Sequence, residues 1–351
     1  MGVTLKAISK AYGAHKALSE ISLDVSDGEF LTILGPSGSG KTTILRIVGG
    51  FTQPTAGRVW FGDDDITDVP THKRPFNTVF QDYALFPHMT VEQNVGYGLK
   101  IKGIDRKTVR SKSTETLDIV GLGGFLDRYP AQLSGGQRQR VALARAIVCE
   151  PELILLDEPL AALDAEMRRQ MQGFLKELQR NISTTFLFVT HDQEEAITMS
   201  DRIVVMDNGE IEQIGTPKEI YYSPKTPFVA RFFGENNMIM SDFVDGQLRT
   251  PFGEIALPAS INKSKRPVFA ALRPEKLLFG AAKSTISIPS IVKEVIFIGS
   301  TTQLRACPLA TPDMVLIVKM ASDPNQVLPK KGDQIDLGFN AQDLAIIEVT
   351  Q

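Results

Sequence analysis

A parallel α/β sheet followed by a small all-β unit is the fold this sequence predicts, and three observations predict it. Strand-sized apolar runs end in polar residues: the run 153–156 leads into Asp157-Glu158-Pro159, and 185–189 into Thr190-His191-Asp192. Helix-compatible stretches separate these runs, as in a sheet buried on both faces with its site at the strand C-termini. Past residue 236 the helical pattern fades. Short β-rich runs at 269–272, 292–298 and 314–318, punctuated by Pro and Gly, take over and read as a small barrel or sandwich. The expected domains are therefore 1–236 and 237–351.

Taken in order, Ile21, Leu23 and Val25 alternate with polar residues as a half-buried strand does. Asp27-Gly28 turns the chain into an apolar strand at 30–34. That strand runs directly into Gly35-Pro36-Ser37-Gly38-Ser39-Gly40-Lys41-Thr42-Thr43 and a helix from Ile44. Between Val91 and Ala146 the periodicity is helical, interrupted at Pro130 and at Ser134-Gly135-Gly136. The stretch 203–214 reads as a hairpin turning at Asn208-Gly209, a type I′ signal.

Composition narrows the classes. The 351 residues suit roughly two domains at about 150 each. Lys+Arg number 38 and Asp+Glu 41, for a net charge of −3, which argues against a nucleic-acid partner held by a broadly basic surface. The hydrophobic share of 42% with 23% charged residues is that of a packed chain rather than a disordered one. The 2 cysteines, Cys149 and Cys307, are too few and too far apart for a disulfide framework or a metal cluster, and fit a reducing compartment. No apolar run approaches the ~18 residues of a membrane span, and the first residues lack the apolar core of a leader. Any membrane role is therefore expected to come through a partner.

The chemistry begins at the glycine loop. Gly35-x-x-x-x-Gly40-Lys41-Thr42 between strand and helix matches the loop whose backbone N–H groups cradle phosphate oxygens. Lys41 supplies a charge to the terminal phosphates, and the Thr42 hydroxyl is the expected Mg²⁺ ligand. Asp157, after four apolar residues, is the expected second partner of the Mg²⁺ shell. Glu158 stands where a carboxylate can take the proton of an attacking water. A second anion-type helix start lies in Leu133-Ser134-Gly135-Gly136-Gln137. One nucleotide does not need two such ends far apart in the chain, whereas two copies packed head to tail would use both.

With these motifs in this order, the sequence resembles the ATP-binding subunits of ABC transporters from about Val3 to Phe233. The resemblance implies an ABC-type P-loop ATPase with a helical signature subdomain, hydrolysing ATP at a dimer interface. It implies that Tyr12 stacks on adenine, that Gln81 touches Mg²⁺ and the attacking water, and that His191 binds the γ-phosphate. Ser134, Gly135, Gly136 and Gln137 would act in trans on the other copy's nucleotide. Asp164 would join the dimer interface, though it also reads as a helix N-cap. Ala161-Ala162-Leu163-Asp164 departs from the family by carrying Ala where many relatives have Ser, which removes a hydroxyl from this loop.

The run 81–89 is similar to the importer-type continuation of this loop. Tyr83, Leu85 and Phe86 are expected as apolar contact area for a permease helix, with ordinary core packing as the other reading. After Asn237 the chain resembles the OB-like TOBE module through Leu272-Arg273-Pro274-Glu275 and Phe297-Ile298-Gly299. Its expected role is dimerisation or regulation.

The whole is similar to importer ATPases, leaning to the polyamine (spermidine/putrescine) type, with ferric-ion, sugar and phosphonate importers as alternatives. An exporter ATPase or a soluble non-transport ATPase fits the tail less well. The implied partners are a second copy, two transmembrane permease subunits and, indirectly, an extracytoplasmic substrate-binding protein, without nucleic acid. The implied location is the cytoplasmic face of the inner membrane.

Overall fold

The computed structural model describes residues 1–244, 247–257, 266–280 and 286–348. The chain forms two compact units, Met1–Pro217 and Lys218–Gln351. In the first, the strands are β1 (Val3–Tyr12), β2 (His15–Val25), β3 (Phe30–Leu34), β4 (Ala56–Phe61), β5 (Asp64–Asp65), β6 (Phe76–Val79), β7 (Leu153–Asp157), β8 (Thr185–Thr190), β9 (Arg202–Asp207) and β10 (Glu210–Gly215). The helices are α1 (Lys41–Val48), α2 (Val91–Ile101), α3 (Arg106–Ile119), α4 (Gly135–Ile147), α5 (Ala165–Ile182) and α6 (Gln193–Met199).

Six strands build the main sheet in the order β10-β9-β3-β8-β7-β6. Its central pairs are parallel, and β10 closes one edge as an antiparallel hairpin with β9. The expected Asn208-Gly209 turn joins those two, with both residues at positive φ (45° and 79°), as a type I′ turn requires. A second sheet, β2-β1-β4-β5, is antiparallel.

The near-continuous apolar strands are explained by burial on both faces. On one face Leu31, Ile33, Leu155, Leu187 and Val189 meet α1 and the inner side of the antiparallel sheet. On the other, Phe30, Ile154, Leu156, Phe186 and Phe188 meet α4 and α5. The Phe186 ring is fully buried and lies 5.5 Å from that of Phe30; truncating such a ring costs about 3–5 kcal/mol. A third core joins Val91, Val95 and Leu99 of α2 to Leu117 of α3 and Val141 of α4, forming the helical subdomain.

Arg74 closes the far end of α1. Its buried guanidinium donates to Ile47 O at 2.9 Å and Val48 O at 2.6 Å, and to Thr67 O and Val69 O. The last carbonyls of the helix, which lack intrahelical donors, are thereby satisfied by a cation that suits the negative end of the helix dipole.

The second unit follows α7 (Pro217–Tyr222) with α8 (Pro227–Phe232) and the strands β11 (Asn237–Val244), β12 (Gln247–Thr250), β13 (Gly253–Ala256), β14 (Arg266–Leu272), β15 (Leu278–Phe279), β16 (Ile286–Ile298), β17 (Thr301–Pro308), β18 (Leu316–Ala321), β19 (Gln334–Phe339) and β20 (Leu344–Glu348). They form two five-stranded antiparallel sheets, β13-β12-β11-β14-β20 and β15-β19-β16-β17-β18. Both sheets contribute to one core, with Ile239, Leu248 and Val268 from the first and Leu304, Val318 and Phe339 from the second.

The Leu272-Arg273-Pro274-Glu275 run is a structural tie here. Arg273, 5% exposed, lies 3.6 Å over the Tyr221 ring and donates to the carbonyls of Tyr221 and Phe233. The Tyr221 hydroxyl donates to Glu275 Oε1 at 2.9 Å. Burial first, and the Glu275 carboxylate second, push that phenol up to about 12.

Candidate functional site

The site starts where β3 stops. Its backbone is spent on two parallel neighbours, so the chain can leave the sheet only at its C-terminal edge, where the glycine loop begins. Gly38 and Gly40 hold left-handed φ values of 83° and 99°, the region that favours glycine. A Cβ on Gly35 would lie 2.3 Å from Met206 O, and one on Gly40 2.6 Å from Leu18 Cδ2. Gly40 is the N-cap of α1 and carries no side-chain cap, which leaves the first-turn N–H groups aimed at the loop's interior.

Lys41, buried to 5% exposure, donates through Nζ to Gly35 O at 2.9 Å and Pro36 O at 2.8 Å. Burial pushes its pKa down, and the carboxylates of Glu158 and Asp157 push it back up. Beside it, the buried Ser39 Oγ has no hydrogen-bond partner among the described residues. Pro36, Ser37 and Thr43 complete the loop and the first helical turn.

Two carboxylates stand at the end of β7. Thr42 Oγ1 donates to Asp157 Oδ1 at 3.1 Å. Burial raises the Asp157 pKa; the Thr42 hydrogen bond opposes this, and the neighbouring Glu158 adds to it. Glu158 takes a left-handed φ of 45°, a conformation costing of order 1 kcal/mol for a non-glycine residue. It is held by Glu158 N donating to Val189 O and by Ala161 N donating to Glu158 O. The twist directs its carboxylate across to the end of β8, where His191 Nδ1 donates to Glu158 Oε2 at 3.1 Å. Thr42 with Asp157 and Glu158 with His191 are thus assembled from three separate sequence segments.

Behind His191 lies a network the sequence did not disclose. Arg168 of α5 pairs with Asp192 at 3.4 Å and with the buried Glu195 at 3.8 Å. Glu195 in turn accepts from Thr190 Oγ1 at 2.5 Å. Burial pushes the Glu195 carboxyl up, with the Thr190 hydrogen bond and the Arg168 charge opposing. Helix α5 opens at Asp164, whose side chain accepts from Met167 N at 2.9 Å. The N-cap reading of Asp164 is therefore the one seen within this chain, and Arg168 links that helix to the His191 loop.

Gln81 is exposed two residues beyond β6. In the run that follows it, one expectation needs correcting. Tyr83 is not exposed contact area: it is 7% exposed and packs with Val79, Leu143 and Leu160, while Leu85 and Phe86 are half-buried. The cause is a backbone reversal, since Tyr83 and Ala84 both have positive φ (62° and 45°). Arg145 of α4 holds that reversal by donating to Tyr83 O at 2.8 Å and Ala84 O at 2.7 Å. Only this long-range cation, 62 residues away, could have signalled it.

The second helix start is different. Ser134 caps α4 by accepting from Gln137 N, while Gln137 Oε1 accepts from Ser134 N, a closed capping box. Gly136 N donates to Met167 Sδ at 3.2 Å. Among the described residues no hydrogen bond joins residues 134–137 to the phosphate loop. Tyr12 is 50% exposed at the end of β1, with Lys10 Nζ 5.0 Å from its ring centroid.

A phosphate cradle, a hydroxyl–carboxylate pair and a carboxylate–imidazole pair, side by side at neighbouring strand ends, define a P-loop nucleoside triphosphatase. Residues 18–161 match the ABC transporter family model, and residues 270–347 match that of the TOBE domain. The chain is 43% identical over 344 residues to the spermidine/putrescine import ATP-binding protein PotA of Bacillus cereus, covering 97% of each. It is 42% identical to the protein of the same name from Rubrobacter xylanophilus, covering 99% of this chain and 94% of that one.

Among solved structures, the ATP-binding cassette MJ0796, dimeric in a post-hydrolysis state bound to ADP and Pi, aligns with a TM-score of 0.55 at 34% identity, over 61% of this chain and 98% of that one. The structure of cbiO1 from Clostridium perfringens, part of the ABC transporter complex cbiONQ, aligns with a TM-score of 0.58 at 29% identity, over 62% and 89%. The chain belongs to the family of ABC transporter ATP-binding proteins and is an ABC-type ATPase with a C-terminal TOBE domain. Among the described residues no helix is long and apolar enough to cross a membrane.

Proposed function

We propose that this chain is the ATP-hydrolysing subunit of a bacterial-type importer whose cargo is a polyamine of the spermidine/putrescine class. The observation that carries the chemistry is the meeting of Thr42 with Asp157 and of Glu158 with His191 at adjoining strand ends. The cargo rests on relatives named for spermidine/putrescine import that align over nearly the whole chain.

Mg²⁺ fits this donor set. Thr42 Oγ1 and Asp157 Oδ1 offer one hydroxyl and one carboxylate, and among the described residues no group of three or more His, Cys, Asp or Glu gathers into a cage. That suits a cation that completes its octahedral shell from substrate phosphates and water. When bound with ATP it neutralises charge developing on the phosphates.

The protein's own residues do the rest. Lys41 exchanges its two loop carbonyls for phosphate oxygens, and first-turn amides of α1 bind the same group. Glu158 takes the proton of the attacking water while His191 holds the γ-phosphate. Gln81 bridges toward metal and water, and Tyr12 stacks on the base. Ser134, Gly135, Gly136 and Gln137 act on the nucleotide of a second copy, with Asp164 near the dimer interface. Two permease subunits anchor the dimer peripherally at the cytoplasmic face of the inner membrane, and an extracytoplasmic binding protein delivers the cargo.

The test is purification of the tagged chain from detergent-solubilised native membranes, followed by reconstitution of the recovered complex in liposomes. We expect polytopic subunits to co-purify, and ATPase to rise with spermidine-loaded binding protein but not with ferric ion, sugar or phosphonate. Stimulation by one of those others would overturn the cargo. Recovery of soluble partners alone would overturn the importer.

A further inference from the structure

Two of the first three amides of α4 are already occupied inside this chain. Gln137 N donates to Ser134 Oγ and Gly136 N donates to Met167 Sδ. If the signature helix binds phosphate in trans, as proposed above, Gly136 N–H must first give up its sulfur. A thioether is a weak acceptor, so a phosphate oxygen displaces it at little cost.

Met167 is half-buried, and it faces an open cavity of about 310 Å³ also lined by Ser134, Gly136, Gln137 and Arg140. Met171 lines the same cavity but is only 1% exposed. Of the two methionines, Met167 is therefore the side chain open to a small oxidant from that cavity.

We infer that Met167 is an oxidation site that brakes the ATPase: its sulfoxide holds the Gly136 amide and withholds it from the nucleotide of the second copy. In the step itself a sulfur lone pair attacks one oxygen of hydrogen peroxide and the O–O bond breaks. The S–O bond forms, and the departing hydroxide leaves as water with the proton of the transferred oxygen. Sulfur loses two electrons and peroxide gains them. The product carries a polar oxygen, a much better acceptor than sulfur, and a sulfoxide reductase with a thiol reverses the change. This inference rests on the trans role of the signature helix.

The experiment treats the purified full-length chain with hydrogen peroxide, maps sulfoxides by mass spectrometry and measures ATPase across ATP concentrations. We expect Met167 to oxidise and the KM for ATP to rise by about tenfold, the scale of one neutral hydrogen bond, with kcat at saturating ATP retained. Methionine sulfoxide reductase with a thiol should restore KM. Met167→Leu, a volume-conserving change, should resist peroxide. Met167→Gln, which presents an amide oxygen, should raise KM untreated.

Equal inhibition of Met167→Leu, full Met167 oxidation without a KM change, or a Met167 that stays reduced while Met1 and Met240 oxidise would each overturn it. A second readout does not depend on turnover: in nucleotide-free ¹⁵N-labelled protein the Gly136 amide proton should move downfield on oxidation. An unmoved signal overturns the contact. A moved signal in a chain that hydrolyses no ATP faults the ATPase reading instead.

Discussion

Helices α1 and α4 both begin at a glycine-rich turn, yet one start is open and the other is closed on itself. At α1 the cap is Gly40 in a left-handed conformation with no side-chain acceptor, and the Lys41 ammonium occupies the loop carbonyls. At α4 a Ser134–Gln137 capping box and the Met167 sulfur already use the amides. The open start is built to receive phosphate unaided. The closed start must exchange internal bonds for external ones, which suits a site completed only when a second copy arrives.

The largest expected effect falls on turnover, the step in which both starts are proposed to engage the nucleotide. Glu158→Gln keeps the shape but loses the proton acceptor, so kcat should fall by about 10²–10⁴ while MgATP binding persists. Size-exclusion chromatography with MgATP should then show a stable dimer. A variant hydrolysing ATP at the native rate would remove Glu158 from its role. Next, Lys41→Ala strips the open start of its cation, and ATP affinity of the isolated chain should drop about 10²-fold, the value of a pair of charge-assisted hydrogen bonds. Equilibrium binding with a fluorescent ATP analogue measures this. An unchanged affinity would mean that the backbone cradle suffices.

Smaller effects sharpen the contrast. Ser134→Ala opens the capping box and should cost about 1 kcal/mol of stability, read as a lower urea midpoint at constant slope. Because the capping box is closed within residues 134–137, single-copy ATP binding at the P-loop should be unaffected.

The smallest effect concerns charge in the nucleotide-free chain. Burial raises the Asp157 pKa above its unfolded value, so the folded state holds its proton to higher pH and stability falls as pH rises through that window. Asp157→Asn should therefore raise Tm at pH 7, with the gain shrinking as pH drops into the ordinary carboxylate range near ~3.9. A Tm gain that does not vary with pH would show that Asp157 is not the titrating group.

The arrangement of the glycine loop and the β7 end was legible because a phosphate cradle dictates spacing. A cradle of backbone amides needs Gly35, Gly38 and Gly40 in order, and a strand end must deliver Asp157 and Glu158 together. The two-faced strands 153–156 and 185–189 were legible because burial on both sides leaves no polar alternation.

Tyr83 was misread because side-chain direction there depends on a left-handed backbone that Arg145 stabilises from another helix. Arg168 behind His191 and Arg74 behind α1 escaped notice for the same reason. Each arginine pairs with groups that sequence spacing does not connect. In the second unit the short β runs understated the elements. The run 292–298 proved to be the end of the thirteen-residue strand β16. That strand crosses a β-bulge between Val292 and Glu294, which breaks the simple period-two pattern.

The place of β3 in the sheet bears on how the protein is synthesised. It pairs with β8 on one side and β9 on the other, and Phe30 N donates to Asp201 across 171 residues of chain. The glycine loop also leans on Met206 O. A ribosome therefore displays the loop long before it has made its walls. At about 5–20 residues per second the nascent chain spends many seconds with its apolar central strand unpaired. The glycine loop therefore lacks its Met206 wall until β9 has been made. Codon choice and chaperone access upstream of Arg202 should consequently weigh more on the yield of active protein than any equal stretch of the β-rich tail.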